Sequence, residues 1–259
     1  MHFIDTHTHL YKEEFDQDRD AVIKRANDLG ILNFVLPAID STHTPEMDRL
    51  KSEYPKQMHL MTGLHPTQVK EDTYKSELKH VADRLGEKSF TAVGEIGIDL
   101  YWDKSTLNIQ KEAFKTQIQW AKKNKLPIVI HCRDAFEETF EVLESEHDDD
   151  LYGAFHCFTG TLEQAKKALS FNLKLGIGGV ATFKNGKIDQ FLKEIPIQEI
   201  ILETDAPYLA PAPYRGKRNE SAYLLKIAQK IAHIYNIPLE EVAKITSANT
   251  LQIFDLNTD

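Results

Sequence analysis

Five stretches of this chain carry side chains that can bind metal ions. They are "DTHTHL", with His7 and His9; "GEIGID", with Glu95; "IVIHC", with His131; "AFHC", with His156; and "LETD", with Asp205. Imidazole nitrogens and carboxylate oxygens together suit divalent zinc, manganese, iron, nickel or cobalt, while magnesium prefers oxygen alone. A cation held by such a set activates water and neutralises a developing negative charge, the chemistry of metal-assisted hydrolysis. A lone histidine is more often a hydrogen-bonded structural residue, as expected for His59, His80, His147 and His233. These six residues differ because each follows or ends a short apolar run, although they are scattered along the chain.

The apolar runs imply the scaffold. Eight of them, at 2–7, 32–38, 59–65, 90–97, 127–132, 152–157, 173–179 and 199–205, read as short strands, most of them apolar on both faces as buried parallel strands are. Amphipathic stretches lie between them. Leu107, Phe114, Ile118 and Ala121 mark one helix, and Leu224, Ile227, Ala228 and Ile231 another. Ser41 or Thr42 is expected to cap the second helix, and Thr161 with Gln164 forms a capping-box pattern before the sixth. The acidic run 146–150 reads as a solvated turn. The fold class is therefore α/β: a single (β/α)₈ TIM barrel over residues 1–259, with an extra C-terminal helix after Pro238.

In such a barrel the C-terminal ends of all strands meet at one mouth. His7 and His9 are two apart, so they share one side of a strand. By the same alternation Cys132 and Cys157 face the helix layer, as packing residues and not thiolate ligands. Four imidazoles and two carboxylates exceed the needs of one ion. The expected arrangement is two divalent metal ions, with Glu95 bridging them, His7, His9 and Asp205 on the first, and His131 and His156 on the second. Glu203 shares a strand face with Asp205 and supports the site from behind.

The 259 residues carry 31 basic and 40 acidic side chains, a net charge of −9. That balance excludes gripping duplex DNA by bulk charge, but not a small site where cations meet phosphate. Two cysteines give no disulfide framework, and neither a membrane span nor a leader is apparent, so the expected location is cytoplasmic. No obligate protein partner is evident.

The motifs "DTHTHL", "GEIGIDLYW", "IVIHCRDA", "AFHCFTG" and "LETDAPYLAP…YRGKRNES" resemble, in order, those of the TatD family of metal-dependent deoxyribonucleases, from residue 4 to about 221. The resemblance implies a (β/α)₈ fold, one or two divalent metals, hydrolysis of DNA phosphodiester bonds, and the same metal roles position by position. On it rest the catalytic roles: Glu95 as bridge, and Asp205 as both ligand and acceptor of the water's proton. His65, Arg133, Tyr208 and Arg215 are the substrate-binding candidates, with Lys217 and Arg218 adding to a local basic patch. Tyr101 could stack on a base, whereas Trp102 is expected to pack its loop. A compact mouth favours single-stranded DNA or strand ends, hence an exonuclease. Two small departures occur: Ile98 where leucine is usual, and Ser221 where proline is common, which bears on the last loop's shape. Two alternatives stand beside this reading. One is an amidohydrolase-type enzyme for a small C–N or lactone substrate, in which many relatives use a carbamylated lysine where this chain has Glu95. The other is a non-catalytic metal-binding protein.

Overall fold

The computed structural model describes residues 1–87 and 90–256. Eight parallel strands follow one another around a single sheet in the order β1 to β8. They are β1 (Phe3–Asp5), β2 (Ile31–Leu36), β3 (Met58–Thr62), β4 (Ala92–Asp99), β5 (Ile128–Arg133), β6 (Gly153–Phe155), β7 (Leu173–Ile177) and β8 (Ile200–Leu202). Each lies within or within two residues of an apolar run. Helices α1 (Arg19–Asp28), α2 (Thr44–Glu53), α3 (Tyr74–Glu87), α4 (Leu107–Asn124), α5 (Phe136–Glu146) and α6 (Leu162–Leu169) each follow one of the first six strands. The seventh connection departs from the alternation. Gly179–Thr182, Ile188–Gln190, Leu192–Glu194 and Ile197–Glu199 form short 3₁₀ turns there. Pro196 and three glycines, Gly178, Gly179 and Gly186, break any long helical register in this segment. Helix α7 (Leu224–Tyr235) follows β8, and α8 (Leu239–Ile253) is the extra C-terminal helix.

The local cap signals divide. Thr161 and Gln164 form a full capping box on α6. Asp40 caps the 3₁₀ turn Ser41–His43 that leads into α2, its carboxylate accepting from the Thr42 amide (3.0 Å), and α2 itself starts after His43 with no side-chain cap, so neither Ser41 nor Thr42 holds that role. In the acidic run, Glu146 belongs to α5, is buried and pairs with Lys115 (2.8 Å); only residues 147–150 form the exposed turn.

Two apolar layers hold the barrel. The larger lies between strands and helices and includes Phe34, Leu36, Ile128, Ile130, Leu175 and Phe155 from the strands. The smaller fills the barrel floor with Ile4, Val35, Met61, Ala92, Val129, Ala154 and Ile201, plugged by Ile253, Phe254 and Leu256 from the end of α8. The extra helix thus closes the end opposite the mouth.

Closure between the first and last strands happens beyond their regular ends. The Thr6 amide donates to Leu202 O (3.1 Å), the Asp205 amide to His7 O (2.9 Å) and the His9 amide to Ala206 O (2.8 Å). The residues that seal the barrel are therefore the ones that carry three of the expected metal ligands.

Phe254 is 1% exposed, and its removal would leave a cavity under the barrel. We predict that Phe254→Ala lowers unfolding free energy by about 3–5 kcal/mol, measured by chemical denaturation. A loss below about 1 kcal/mol would show that this plug does not hold the floor.

Candidate metal centre

Glu95 reaches the barrel interior through an irregularity in β4. Gly94 pairs with Val129 and Ile96 with Ile130, leaving Glu95 as an extra residue with no partner on β5. A bulge of this kind re-aims the side chain at the extra position. Val93, Ile96 and Ile98 all pack in the outer layer, so simple alternation fails between Val93 and Ile96. Glu95 is 2% exposed.

Five imidazoles come within 4.0 Å of its carboxylate. The closest approaches are His131 Nδ1 at 2.8 Å and His7 Nε2 at 3.1 Å, followed by His65 Nε2 at 3.5 Å, His156 Nε2 at 3.7 Å and His9 Nε2 at 4.0 Å. Asp205 Oδ1 faces the same space, 3.4 Å from His9 Nε2 and 3.9 Å from both His7 Nε2 and His156 Nε2. All six sequence-derived ligand candidates are thus brought together.

The outer contacts fix which nitrogen of each ring faces inward; in the neutral ring that metal binding requires, this nitrogen carries the lone pair. The Tyr11 hydroxyl donates to Pro37 O (2.7 Å), so its oxygen receives the proton of His9 Nδ1 (2.8 Å). That leaves His9 Nε2 as an acceptor facing the Asp205 carboxylate. Asp99 Oδ2 takes the proton of His131 Nε2 (2.9 Å), leaving Nδ1 toward Glu95. Glu203 Oε1 lies 2.9 Å from His156 Nδ1, an ion-pair contact outside hydrogen-bond geometry, and Nε2 again faces inward. Both ring nitrogens of His7 are buried without a hydrogen-bond partner among the described residues, and its ring stacks on His156 at 3.4 Å. Lone pairs and carboxylate oxygens that face each other repel unless a proton or cation lies between them. Ligand atoms bound at about 2.0–2.2 Å sit about 3.0–3.6 Å apart around one ion, close to the spacing seen here. These residues therefore fit divalent metal.

Without a cation between them, protons on the rings take its place: burial alone would push the Glu95 carboxyl up, but charge on His7, His156 and His65 and a hydrogen bond from protonated His131 Nδ1 outweigh it and hold it well below the usual carboxylate range. Burial also opposes ionisation of Asp205, and a hydrogen bond from protonated His9 and the charge of neighbouring imidazoles again win, so its pKa is lowered. Both are anionic at neutral pH.

His65 belongs to this cluster, deeper than the substrate position expected of it. The Thr67 amide donates to its Nδ1 (3.1 Å), which leaves the proton on Nε2, directed at Glu95 Oε1 and His131 Nδ1. In that form it orients the carboxylate. Glu203 sits behind His156, where it accepts from the Cys157 amide (2.6 Å); a Cβ on Gly176 would lie 2.4 Å from its Oε2, so that glycine makes room for it.

Above the cluster opens a cavity of about 970 Å³, lined by Arg133, Tyr208, Arg215, Lys217, Lys12 and Trp102 among others. Arg133 lies flat over Tyr101 (3.6 Å) and Arg215 over Phe183 (3.7 Å). Arg218 does not join them. It pairs with Asp18 (2.7 Å) and stacks on Phe15, so the expected basic patch reduces to Arg215 and Lys217 with Lys12. Cys132 packs against the outer layer, with Thr139 on α5 donating to its Sγ (3.5 Å), while also bordering the cavity; Cys157 lines the cavity. Its φ of 43° breaks strand alternation after β6 ends, which places Sγ near His156 and Glu203, and burial holds its thiol well above the usual range. Trp102 is 69% exposed, so it does not pack its loop. Ser221 is fully buried and donates to Thr8 Oγ1 (3.3 Å), while Asn219 Nδ2 ties the last loop to Thr204 O (2.7 Å) and Tyr208 O (2.6 Å). The loop is held without the proline.

The sequence reading missed Asp99. It sits four residues beyond Glu95 in "GEIGID", and the bulge brings both to the mouth. Its Oδ1 accepts from the amides of Tyr101 (3.0 Å) and Trp102 (3.1 Å) while its Oδ2 holds His131; the Gln110 side chain secures its own amide (2.8 Å).

Residues 4–255 match the family model described as TatD related DNase. The chain is 38% identical over 254 residues to the metal-dependent hydrolase YabD of Bacillus subtilis, covering 98% of this chain and 99% of that one. It is 30% identical over 260 residues to the 3'-5' ssDNA/RNA exonuclease TatD of Yersinia pseudotuberculosis, covering 97% and 99%. The crystal structure of the TatD homologue YjjV from Escherichia coli superposes with a TM-score of 0.89 at 27% identity, over 98% of each chain.

Asp99→Asn keeps the side chain's shape but weakens its hold on the His131 N–H. We predict a fall in affinity for Zn²⁺ or Mn²⁺ of about 10–100-fold, read by calorimetric titration. Unchanged affinity would show that His131 needs no such anchor.

Proposed function

The chain belongs to the TatD-related DNase family of metal-dependent hydrolases, and on that premise we propose that it hydrolyses phosphodiester bonds of single-stranded DNA, working from strand ends. The observation that carries this reading is the pairing of a buried anionic carboxylate–imidazole cluster with a cationic rim, in a protein of net charge −9. Arg133 ends β5, whereas Lys12 follows β1 and Arg215 and Lys217 follow β8. Around a ring of eight strands, these groups stand on opposite sides of the mouth. A phosphodiester laid between them meets cations on both flanks and the cluster beneath. The relative from Yersinia, which is named for an exonuclease acting on single strands, supports the choice of substrate.

His7, His9 and Asp205 would hold one divalent ion, His131 and His156 a second, and Glu95 would bridge them. Such ions, when bound, supply an acidified water and positive charge against the phosphoryl oxygens. Each protein group then has a defined task. Asp205, ionised and at the cavity surface, accepts the proton of the attacking water. Arg133 and Arg215, each held flat on an aromatic ring, present their N–H edges to phosphate oxygens, a geometry that guanidinium matches better than ammonium. Tyr11, Asp99 and Glu203 fix the rings of His9, His131 and His156.

Purified protein, stripped and reloaded with Mg²⁺, Mn²⁺ or Zn²⁺, should shorten end-labelled single-stranded DNA. Asp205→Asn should lower kcat by about 10²–10⁴-fold while metal binding persists in part. Full turnover in Asp205→Asn would contradict its role as base. Failure of any metal to support cleavage, in protein shown to bind metal, would contradict the nuclease reading.

A further inference from the structure

Trp102 stands at the rim of the cavity with 69% of its surface exposed, and Tyr101 beside it is 53% exposed. Two adjacent exposed aromatics at the edge of a cavity form a contiguous apolar patch of the kind that marks binding sites. Their positions are fixed from below. Asp99 Oδ1 accepts both of their backbone amides, and the same carboxylate holds His131, which touches Glu95. The two rings meet edge to face, with centroids 5.0 Å apart at 89°. Arg133 covers one face of Tyr101 at 3.6 Å and lies 5.7 Å from the Trp102 ring. Tyr101 is thus committed to Arg133, whereas Trp102 presents its indole to solvent beside a cation.

A flat π surface next to a guanidinium, with a main-chain link to the metal centre, fits a nucleobase and its adjoining phosphate. Aromatic side chains bind unpaired bases in this way, with tolerance for sequence. Within a duplex both faces of a base are already stacked, so the occupant is an unpaired base. We propose that Trp102 is the stacking subsite for one nucleobase flanking the bond that is cut, with Arg133 on its phosphate; this rests on the nuclease reading above.

The test combines a protein change with a substrate change. Trp102→Ala and Trp102→Phe are compared with the unaltered protein on a single-stranded oligonucleotide, and on the same strand carrying an abasic residue at successive positions next to the cut bond. Trp102→Ala is expected to raise KM about 10-fold with a smaller change in kcat, and Trp102→Phe to restore most of the loss. One abasic position should cost the unaltered protein about 10-fold but cost Trp102→Ala nothing further. An unchanged KM in Trp102→Ala, or equal abasic sensitivity in both proteins, overturns the proposal.

Binding supplies a readout independent of turnover. The chain has two tryptophans, and the other, Trp120, packs against the α3–α4 cluster. In Asp205→Asn the oligonucleotide should quench Trp102 emission, and the abasic strand should quench it less. Quenching without cleavage by the unaltered protein would uphold the subsite and overturn the nuclease reading. Cleavage without quenching would overturn the subsite alone, and neither signal would overturn both.

Discussion

A carboxylate with almost no access to water cannot remain charged unless its surroundings answer that charge. Glu95 is 2% exposed and is met by five imidazoles. When neutral, four of those rings offer a nitrogen lone pair or an unpartnered nitrogen toward it, so without added protons they cannot all act as donors. Cations resolve the conflict, and the remaining architecture reads as a means of keeping the conflict in place. The bulge in β4 delivers the carboxylate to the interior. The seam between β1 and β8 delivers His7, His9 and Asp205 through the same backbone hydrogen bonds that close the barrel.

Around this centre each ring is fixed from outside by a different group: Tyr11 on His9, Asp99 on His131 and Glu203 on His156. Each also reaches a second part of the structure. Tyr11 binds the carbonyl of Pro37 after β2, Glu203 holds the Cys157 amide after β6, and Asp99 holds the loop that carries Tyr101 and Trp102. The loop that carries Tyr101 and Trp102 and the carboxylate–imidazole cluster beneath it are therefore joined by short, part-buried hydrogen bonds. Such a linkage lets a mouth built from loops keep a fixed position relative to the cluster.

Much of this was legible in the chain. Short apolar runs located all eight strands because each strand of a closed parallel barrel is covered on both faces. Ligand-type residues at the ends of those runs converged because the topology sends every strand end to one mouth. What escaped depends on local breaks in regular geometry. Alternation gives the right answer for His131 and Cys132 on β5 but the wrong one for Cys157, where the chain takes a left-handed turn. Glu95 was selected by residue type, while its inward direction comes from a register shift that no periodicity shows. Asp99 looked like an ordinary strand-end acid, since its value lies in a partner 32 residues away on another strand. The basic run 215–218 appeared uniform, yet Asp18, far off in sequence, withdraws Arg218 from it. The seventh helix failed because its segment favours tight turns, and the barrel closes without it.

We propose that Glu95 holds the centre together by serving two ions at once. The most direct measurement of this is the stoichiometry and affinity of Mn²⁺ or Zn²⁺ binding, by calorimetry on stripped protein, in the unaltered chain and in Glu95→Ala. Two ions per chain are expected in the first, and in the second no more than one, bound at least about 10-fold more weakly. Two ions retained in Glu95→Ala with unchanged affinity would contradict the proposal.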